Sequence, residues 1–248
     1  MLSKATIKDI QSLQHKKFRD ESNAFLAEGP KVVKELLLSG AFNCKMVYAL
    51  ADWISKADKK LSDTFIDKVQ IVTPEELEKI ANYSTPNQVV AIFEKRKEST
   101  QIELKDQITL VLDDIQDPGN LGTIIRTSDW FGIKNIICSK NTADLYNSKV
   151  VQSTMASLAR VNLYYTEPVE WLKKNKGVKV FAATLSGEPL NSFRGTKEAI
   201  VLIGNEANGL SEEIQAFASH NITIPGYGVA ESLNAAIATA IILYELKN

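Results

Sequence analysis

The chain has 248 residues, of which 44% are hydrophobic, so it is long enough to bury a core in each of two compact domains. A formal net charge of −1 argues against a protein that holds nucleic acid through a general positive field. The two cysteines, Cys44 and Cys138, lie far apart without C-x-x-C spacing, which argues against a disulfide framework or a metal knuckle. With only His15 and His220, a histidine metal site or a serine–histidine triad is hard to build.

The first ten residues lack the apolar core of a signal peptide, and no apolar run reaches the roughly 18 residues of a membrane span. We therefore expect a cytoplasmic protein that does not contact a membrane. Residues 1–97 carry a net charge of +3 and residues 98–248 a net charge of −4. The early excess indicates either a solvated helix face or an arm that contacts phosphates, and it comprises Lys4, Lys8, His15, Lys16, Lys17 and Arg19.

Residues 1–97 alternate between predicted helices and short strands, which indicates a small α/β domain. The pattern predicts a helix over 6–19 and another that begins at Pro30 and stops near Gly40. Thr73 is expected to cap a third helix, because a proline and two acids follow it. Strands are predicted at 25–27, 46–50, 69–72 and 89–93. The charged, polar stretch at 98–107 has the composition of a linker.

Residues 108–248 contain apolar strands separated by helices, a pattern typical of a largely parallel sheet covered on both faces. Strands are predicted at 108–112, 135–138, 161–165, 178–183, 199–203 and 221–224. The final helix, from residue 235 to residue 246, is rich in alanine and almost uncharged. We expect most of its circumference to be buried.

The first stretch that could carry chemistry follows the strand at 108–112 and turns into a helix at Pro118 and Gly119. Asn120 is a candidate cap for that helix, and Gly132 is expected to lie just beyond its end. Arg126 lies among apolar residues, where it is either a surface residue or an anion contact. The stretch lacks G-x-G-x-x-G and G-K-[ST], which argues against a Rossmann dinucleotide site or a P-loop.

Two further stretches also follow strands. Glu206 lies at the carboxyl end of the strand at 199–203, where open α/β sheets bind ligands, although a loop carboxylate is usually just solvated. Ser211 is expected to cap the helix that follows. Ser232 and Asn234 stand at the start of the final helix, where we expect them to be buried and to need hydrogen-bond partners. A ligand could be one such partner.

Three motifs stand in order along the C-terminal half: N-x-G-x-x-x-R at 120–126, G-x-E-x-x-G-L-S at 204–211 and I-P-x-x-G-x-x-x-S-L-N at 224–234. Each is weak alone, but together they resemble the motifs of the SpoU (TrmH-like) RNA 2′-O-ribose methyltransferases of the SPOUT superfamily. The N-terminal half, with F-L-A-E-G-P-K at 25–31, resembles that family's substrate-binding domain, which is related to a small ribosomal RNA-binding protein.

The resemblance implies an α/β protein with an RNA-binding domain at 1–97, a linker at 98–107 and a trefoil-knot methyltransferase domain at 108–248. It implies a homodimer with an active site shared between subunits, S-adenosylmethionine as cofactor, and a structured RNA as substrate, with ribosomal RNA favoured over transfer RNA. Cofactor contacts are implied at Gly204, Ile224 and Leu233, and less directly at Thr184. Catalysis and ribose binding are implied for Asn120, Arg126, Glu206, Ser232 and Asn234.

The reaction needs the ribose oxygen to lose a proton and its developing negative charge to be stabilised. A guanidinium holds its proton too tightly to be a good base, so we expect Arg126 to clamp the oxyanion or a phosphate. The proton then leaves through the RNA phosphate, a water or Glu206. Two departures from the family's pattern, Gly226 with Tyr227 and the acid Glu231, bear on the shape of the cofactor pocket.

Two other functions fit the fold class. A non-catalytic RNA-binding protein could keep this fold, although the retained Asn120, Arg126, Glu206 and Asn234 argue against it. A nucleotide-dependent oxidoreductase would also use a parallel sheet, but the missing G-x-G-x-x-G argues against that class.

Overall fold

The structure is a computed structural model, and it describes residues 1–83, 88–97 and 102–248. The helices are α1 Lys4–Ser12, α2 Lys16–Ser22, α3 Pro30–Ser39, α4 Ala51–Ser55, α5 Lys59–Ser62, α6 Pro74–Ile80, α7 Pro118–Trp130, α8 Ser148–Ser153, α9 Pro168–Lys174, α10 Glu212–Gln215 and α11 Ala235–Lys247. The strands are β1 Ala24–Glu28, β2 Cys44–Ala49, β3 Val69–Ile71, β4 Val89–Glu94, β5 Ile108–Leu112, β6 Asn135–Cys138, β7 Asn162–Tyr165, β8 Val180–Pro189, β9 Ala199–Ile203 and β10 His220–Thr223.

The chain forms two compact units. Unit 1 comprises Met1–Lys97 and Asp144–Ala159, and unit 2 comprises Glu98–Ala143 and Arg160–Asn248. Part of the predicted linker at 98–107, residues 98–101, lies outside the described residues.

Unit 1 is built on a four-stranded mixed sheet with the order β1-β4-β2-β3. Strand β4 is antiparallel to both neighbours, whereas β2 and β3 are parallel. The four strands predicted in this half are all present. Pro30 begins α3 and Gly40 follows it with a φ of 65°, as predicted. Thr73 and Glu76 form a full capping box at the start of α6, which confirms Thr73 as the cap.

The single helix predicted over 6–19 is wrong, because the chain breaks between α1 and α2. Arg19 donates to the carbonyls of Leu13 (3.0 Å) and Gln14 (2.7 Å), which a continuous helix would have used for its own hydrogen bonds. Its guanidinium also pairs with Asp144 at 2.6 Å, and only 3% of the side chain is exposed. Arg19 therefore does not belong to a phosphate-contacting arm, although Lys16 and Lys17 beside it are exposed.

Unit 2 is built on a six-stranded sheet with the order β10-β8-β9-β5-β6-β7. Every neighbouring pair in this sheet is parallel, which confirms the predicted parallel architecture. All residues of β5, β6 and β9 are buried, as expected for strands covered on both faces. The carboxyl ends of the six strands meet at one edge, and the three motifs leave the sheet there.

The last helix, α11, is less buried than its composition predicts. It packs against α7, and its buried side chains include Thr239, Leu243 and Leu246. Ile237 and Tyr244, which lie seven residues apart on the opposite face, are 51% and 56% exposed. One stripe of the helix is therefore exposed, while the rest of its circumference is buried or half-buried. In the described part of the chain, we find no helix long and apolar enough to cross a membrane.

Candidate active site

The connection from β5 to α7 is fixed by carboxylates. Asp113 accepts the backbone N–H of Ser211 at 2.8 Å, which ties the end of β5 to the second motif. Asp117 is the N-cap of α7 and accepts the N–H of Asn120 at 2.8 Å. The prediction that Asn120 caps this helix is therefore wrong. The overlooked signal is an aspartate followed by a proline at the first helical position. Gly132 does lie beyond the end of α7, with a φ of 69°.

A chain of side-chain hydrogen bonds joins all three motifs. Asn234 is the N-cap of α11, and its Oδ1 accepts the N–H groups of Ala236 and Ile237. Its Nδ2 donates to Oδ1 of Asn120 at 2.8 Å. Nδ2 of Asn120 donates in turn to Oε1 of Glu206. We call Asn234, Asn120 and Glu206 the Asn–Asn–Glu chain. Each amide uses its oxygen and its nitrogen, so the two ends cannot be exchanged without losing bonds.

The loop that carries Glu206 is held rigidly. A Cβ added to Gly204 would lie 2.3 Å from the carbonyl carbon of Gly209, so only glycine fits at position 204. Asn205 and Gly209 exchange two backbone hydrogen bonds, of 3.0 and 2.8 Å. The Asn205 side chain accepts the N–H of Ala207 at 2.8 Å and donates to the carbonyl of Asp114 at 2.8 Å. Our sequence reasoning missed Asn205, although asparagine commonly closes such turns.

The residues implied for cofactor binding follow neighbouring strands. Gly204 follows β9 and Ile224 follows β10, while Thr184 lies within β8, the strand between those two. Leu233 lies beside the N-cap of α11 and is 46% exposed. These segments offer glycine-rich backbone and partly exposed side chains at one edge of the sheet, which suits a ligand held largely through backbone groups.

Two implied catalytic residues take no part in the hydrogen bonds of the Asn–Asn–Glu chain. Arg126 on α7 and Ser232 before α11 are exposed, and neither side chain has a hydrogen-bond or ion-pair partner among the described residues. The predicted burial of Ser232 and Asn234 is wrong, since both are exposed. Between Pro225 and Glu231 every residue is exposed as well. No group of His, Cys, Asp or Glu within 1–83, 88–97 and 102–248 is arranged to hold a metal ion.

Each half of the chain matches a known protein family. Residues 107–244 match the SpoU rRNA Methylase family, and residues 4–91 match the MRM3-like substrate binding domain. The chain belongs to the SpoU rRNA methylase family. This confirms the resemblance drawn from the three motifs.

Similar proteins extend over nearly the whole chain. The 23S rRNA (guanosine(2553)-2′-O)-methyltransferase RlmP of Bacillus subtilis is 30% identical over 97% of this chain and 95% of its own length. The 23S rRNA (uridine(2479)-2′-O)-methyltransferase of Streptomyces viridochromogenes is 27% identical over 92% of this chain and 83% of its own. The crystal structure of an AdoMet-bound rRNA methyltransferase from Sinorhizobium meliloti superposes with a TM-score of 0.86, at 32% identity, over 99% of this chain and 95% of that one.

Proposed function

We propose that this SpoU-family enzyme methylates a ribose 2′-hydroxyl of ribosomal RNA with S-adenosylmethionine as methyl donor. The observation that carries the proposal is the Asn–Asn–Glu chain, which brings one residue of each family motif together at the carboxyl edge of the sheet. The two curated relatives described above act on a guanosine and a uridine, and both methylate the 2′ oxygen. The sugar hydroxyl, and not the base, is therefore the shared chemistry.

The proposed cofactor site lies at the carboxyl ends of β8, β9 and β10 and includes Thr184, Gly204, Ile224 and Leu233. The close approach of Gly204 to Gly209 keeps this part of the edge free of side-chain bulk, which favours contacts through backbone groups. When bound, S-adenosylmethionine supplies an electrophilic methyl group on a sulfonium.

Glu206, Asn120 and Asn234 are proposed to bind and orient the ribose. The Glu206 carboxylate accepts one hydrogen bond from Asn120 and has further lone pairs, so it can also accept a hydrogen bond from a ribose hydroxyl. The proton of the 2′-hydroxyl leaves to Glu206, a water or an RNA phosphate. Arg126 is proposed to clamp the oxyanion or a phosphate, and Ser232 to contact the ribose. Donors placed before the reaction stabilise developing charge without the cost of reorganisation.

We further propose a homodimer in which the two subunits complete each active site. The exposed Ile237 and Tyr244 on α11, with Trp130 at the end of α7 (85% exposed), offer apolar surface for the contact. The Arg126 side chain is exposed and has no partner among the described residues, so it is free to serve a site that spans two subunits. By membership of the family we also propose the trefoil knot around α11 and a cytoplasmic location.

The direct test is methyl transfer from labelled S-adenosylmethionine to unmodified 23S ribosomal RNA and transfer RNA, followed by mass mapping of 2′-O-methyl sites. We expect one site in the ribosomal RNA, and a loss of at least about 100-fold in turnover for Glu206→Ala, as for other losses of a preorganised group. Binding of RNA without S-adenosylmethionine binding would favour the non-catalytic alternative. Methyl groups on bases or only on transfer RNA would contradict the proposed substrate.

A further inference from the structure

Strand β8 leaves its pairing with β10 for five residues. Asn221 pairs with Ala182, but the next residue, Ile222, pairs with Glu188, so residues 183–187 bulge out of the sheet. We call residues 183–187 the β8 excursion. It contains Thr184, one of the residues proposed to bind the cofactor. The shape of the excursion therefore bears on the cofactor site.

The excursion is packed tightly at its far end. A Cβ on Gly187 would lie 2.4 Å from the carbonyl oxygen of Asn221, so no larger residue fits there without moving the backbone. Thr223 donates from Oγ1 to the carbonyl of Leu185 at 3.2 Å, which ties the tip of the excursion to β10. Residues that bulge out of a sheet lose the backbone hydrogen bonds to the neighbouring strand. Side-chain contacts therefore have to hold the shape of the excursion.

One side-chain bond spans the base of the excursion. His220 pairs in the sheet with Phe181, before the excursion begins, and its ring contacts Glu188, just after the excursion ends. Nδ1 of His220 lies 2.8 Å from Oε1 of Glu188, and because an ionised carboxylate can only accept, Nδ1 is the donor. The imidazole ring lies 5.8 Å from the ring of Phe181 and 5.0 Å from that of Phe193, which fixes its orientation.

We propose that Glu188 and His220 are positioning residues that hold the β8 excursion in the conformation that binds S-adenosylmethionine. The proposal rests on the function proposed above and adds two residues that lie outside the three motifs. A loop that is ordered before binding loses less conformational entropy when the ligand binds. If the binding-competent conformation is only partly populated, the apparent affinity falls by that fraction.

The test is calorimetric titration of the whole protein with S-adenosylmethionine. We expect Glu188→Ala to weaken binding by about three- to tenfold, the range expected when one partly exposed charged hydrogen bond orders a loop. Glu188→Gln keeps an oxygen that accepts from Nδ1 and should recover part of the affinity. His220→Ala, which removes the donor and its ring contacts, should weaken binding at least as much as Glu188→Ala. Turnover at saturating cofactor should stay near that of the parent for both Glu188 variants.

Glu170→Ala is the matched control, because Glu170 forms an exposed ion pair with Lys173 on α9 of the same unit. The N···O distance of that pair is 2.7 Å, close to the 2.8 Å between His220 and Glu188. It should bind S-adenosylmethionine as the parent does. Parent-like affinity in Glu188→Ala, or an equal loss in Glu170→Ala, would overturn the positioning role. Failure of the parent itself to bind S-adenosylmethionine would instead overturn the proposed function, and the positioning role with it.

Discussion

Asn120 occupies the centre of the Asn–Asn–Glu chain because it stands in the first turn of α7 without serving as its cap. Asp117 satisfies the free N–H group at the helix start, so the Asn120 amide is left to bridge Asn234 and Glu206. Asn205 supports this arrangement by closing the loop that carries Glu206. The geometry of the site thus depends on the motif residues and equally on neighbouring polar side chains that accept hydrogen bonds from backbone N–H groups.

The proposed clamp role of Arg126 predicts the behaviour of Arg126→Lys. Lysine keeps the positive charge but loses the planar fork, so turnover should fall by about 100-fold while S-adenosylmethionine affinity stays nearly unchanged. Turnover measured with 23S ribosomal RNA and calorimetry with the cofactor separate the two effects. Arg160→Lys is the control, since Arg160 pairs with Asp129 on the surface of the same unit. Near-normal turnover in Arg126→Lys would exclude the clamp role.

The buried carboxyl group of Glu28 should make the free energy of unfolding depend on pH. Burial at the end of β1 raises the pKa of its carboxyl above the ordinary 4.5, and hydrogen bonds from Asn82 offset part of this increase. The folded state is therefore penalised above that raised pKa, and the penalty is absent below the unfolded pKa. Glu28→Gln keeps an acceptor for Asn82 without the charge, so it should raise the urea midpoint at pH 7 and lose that advantage by pH 4. An equal gain at both pH values would show that the charge is not the cause.

Helix α11 has one face buried in unit 2 and a second apolar face that is exposed. Its buried face packs within unit 2, while Ile237 and Tyr244 lie on the opposite face. A helix that is apolar all round needs cover on both sides, and this chain covers only one. The remaining face is therefore the surface on which the proposed homodimer depends.

Ile237→Glu should disrupt that dimer. In a twofold interface each substitution acts twice, so loss of two buried isoleucines weakens association by about 3 kcal/mol or more. Light scattering during size-exclusion chromatography should show a dimer for the parent and a monomer for the variant. Ile71→Glu is the control, because Ile71 is exposed to a similar extent on β3 of unit 1. A variant that remains dimeric would move the interface away from this face of α11.

At the scale of the whole molecule, the segment Asp144–Ala159 folds with unit 1 although it lies between β6 and β7 of unit 2. The ring of Tyr146 packs against that of Phe25 at a tilt of 36°, with centroids 4.8 Å apart. The Arg96 guanidinium donates to the carbonyls of Leu158 and Ala159. The chain thus crosses from one unit to the other more than once. We expect the stability of unit 1 to depend on residues far from it in sequence.

Asp144→Ala tests this dependence. It leaves the buried guanidinium of Arg19 without its carboxylate, which should destabilise unit 1 by about 3 kcal/mol. Hydrogen exchange should become faster in β1, whose residues are all buried, and in its neighbour β4. Glu21→Ala, which removes the exposed partner of Lys17 in the same unit, should cost less than about 1 kcal/mol. Equal effects of the two variants would contradict a structural role for Asp144.

Local sequence patterns were enough to predict the parallel sheet of unit 2, the start of a helix at Pro30, the capped helix after Thr73, and the family. These features follow from local patterns: apolar strands, cap residues and short motifs whose order can be read along the chain. The sequence motifs also predicted the three residues of the Asn–Asn–Glu chain as site residues, but not the hydrogen bonds between them. Asn120 lies 114 residues from Asn234 and 86 from Glu206, and only the parallel sheet brings those positions to one edge.

The burial of Arg19, the exposed face of α11 and the placement of Asp144–Ala159 depend on tertiary structure alone. Each outcome depends on contacts between residues that are remote in sequence. The break between α1 and α2 illustrates this point, since helical propensity over 6–19 gave way to the hydrogen bonds and the buried ion pair of one arginine. Local patterns carry no information about such contacts, because the partner's position is set only once the chain has folded.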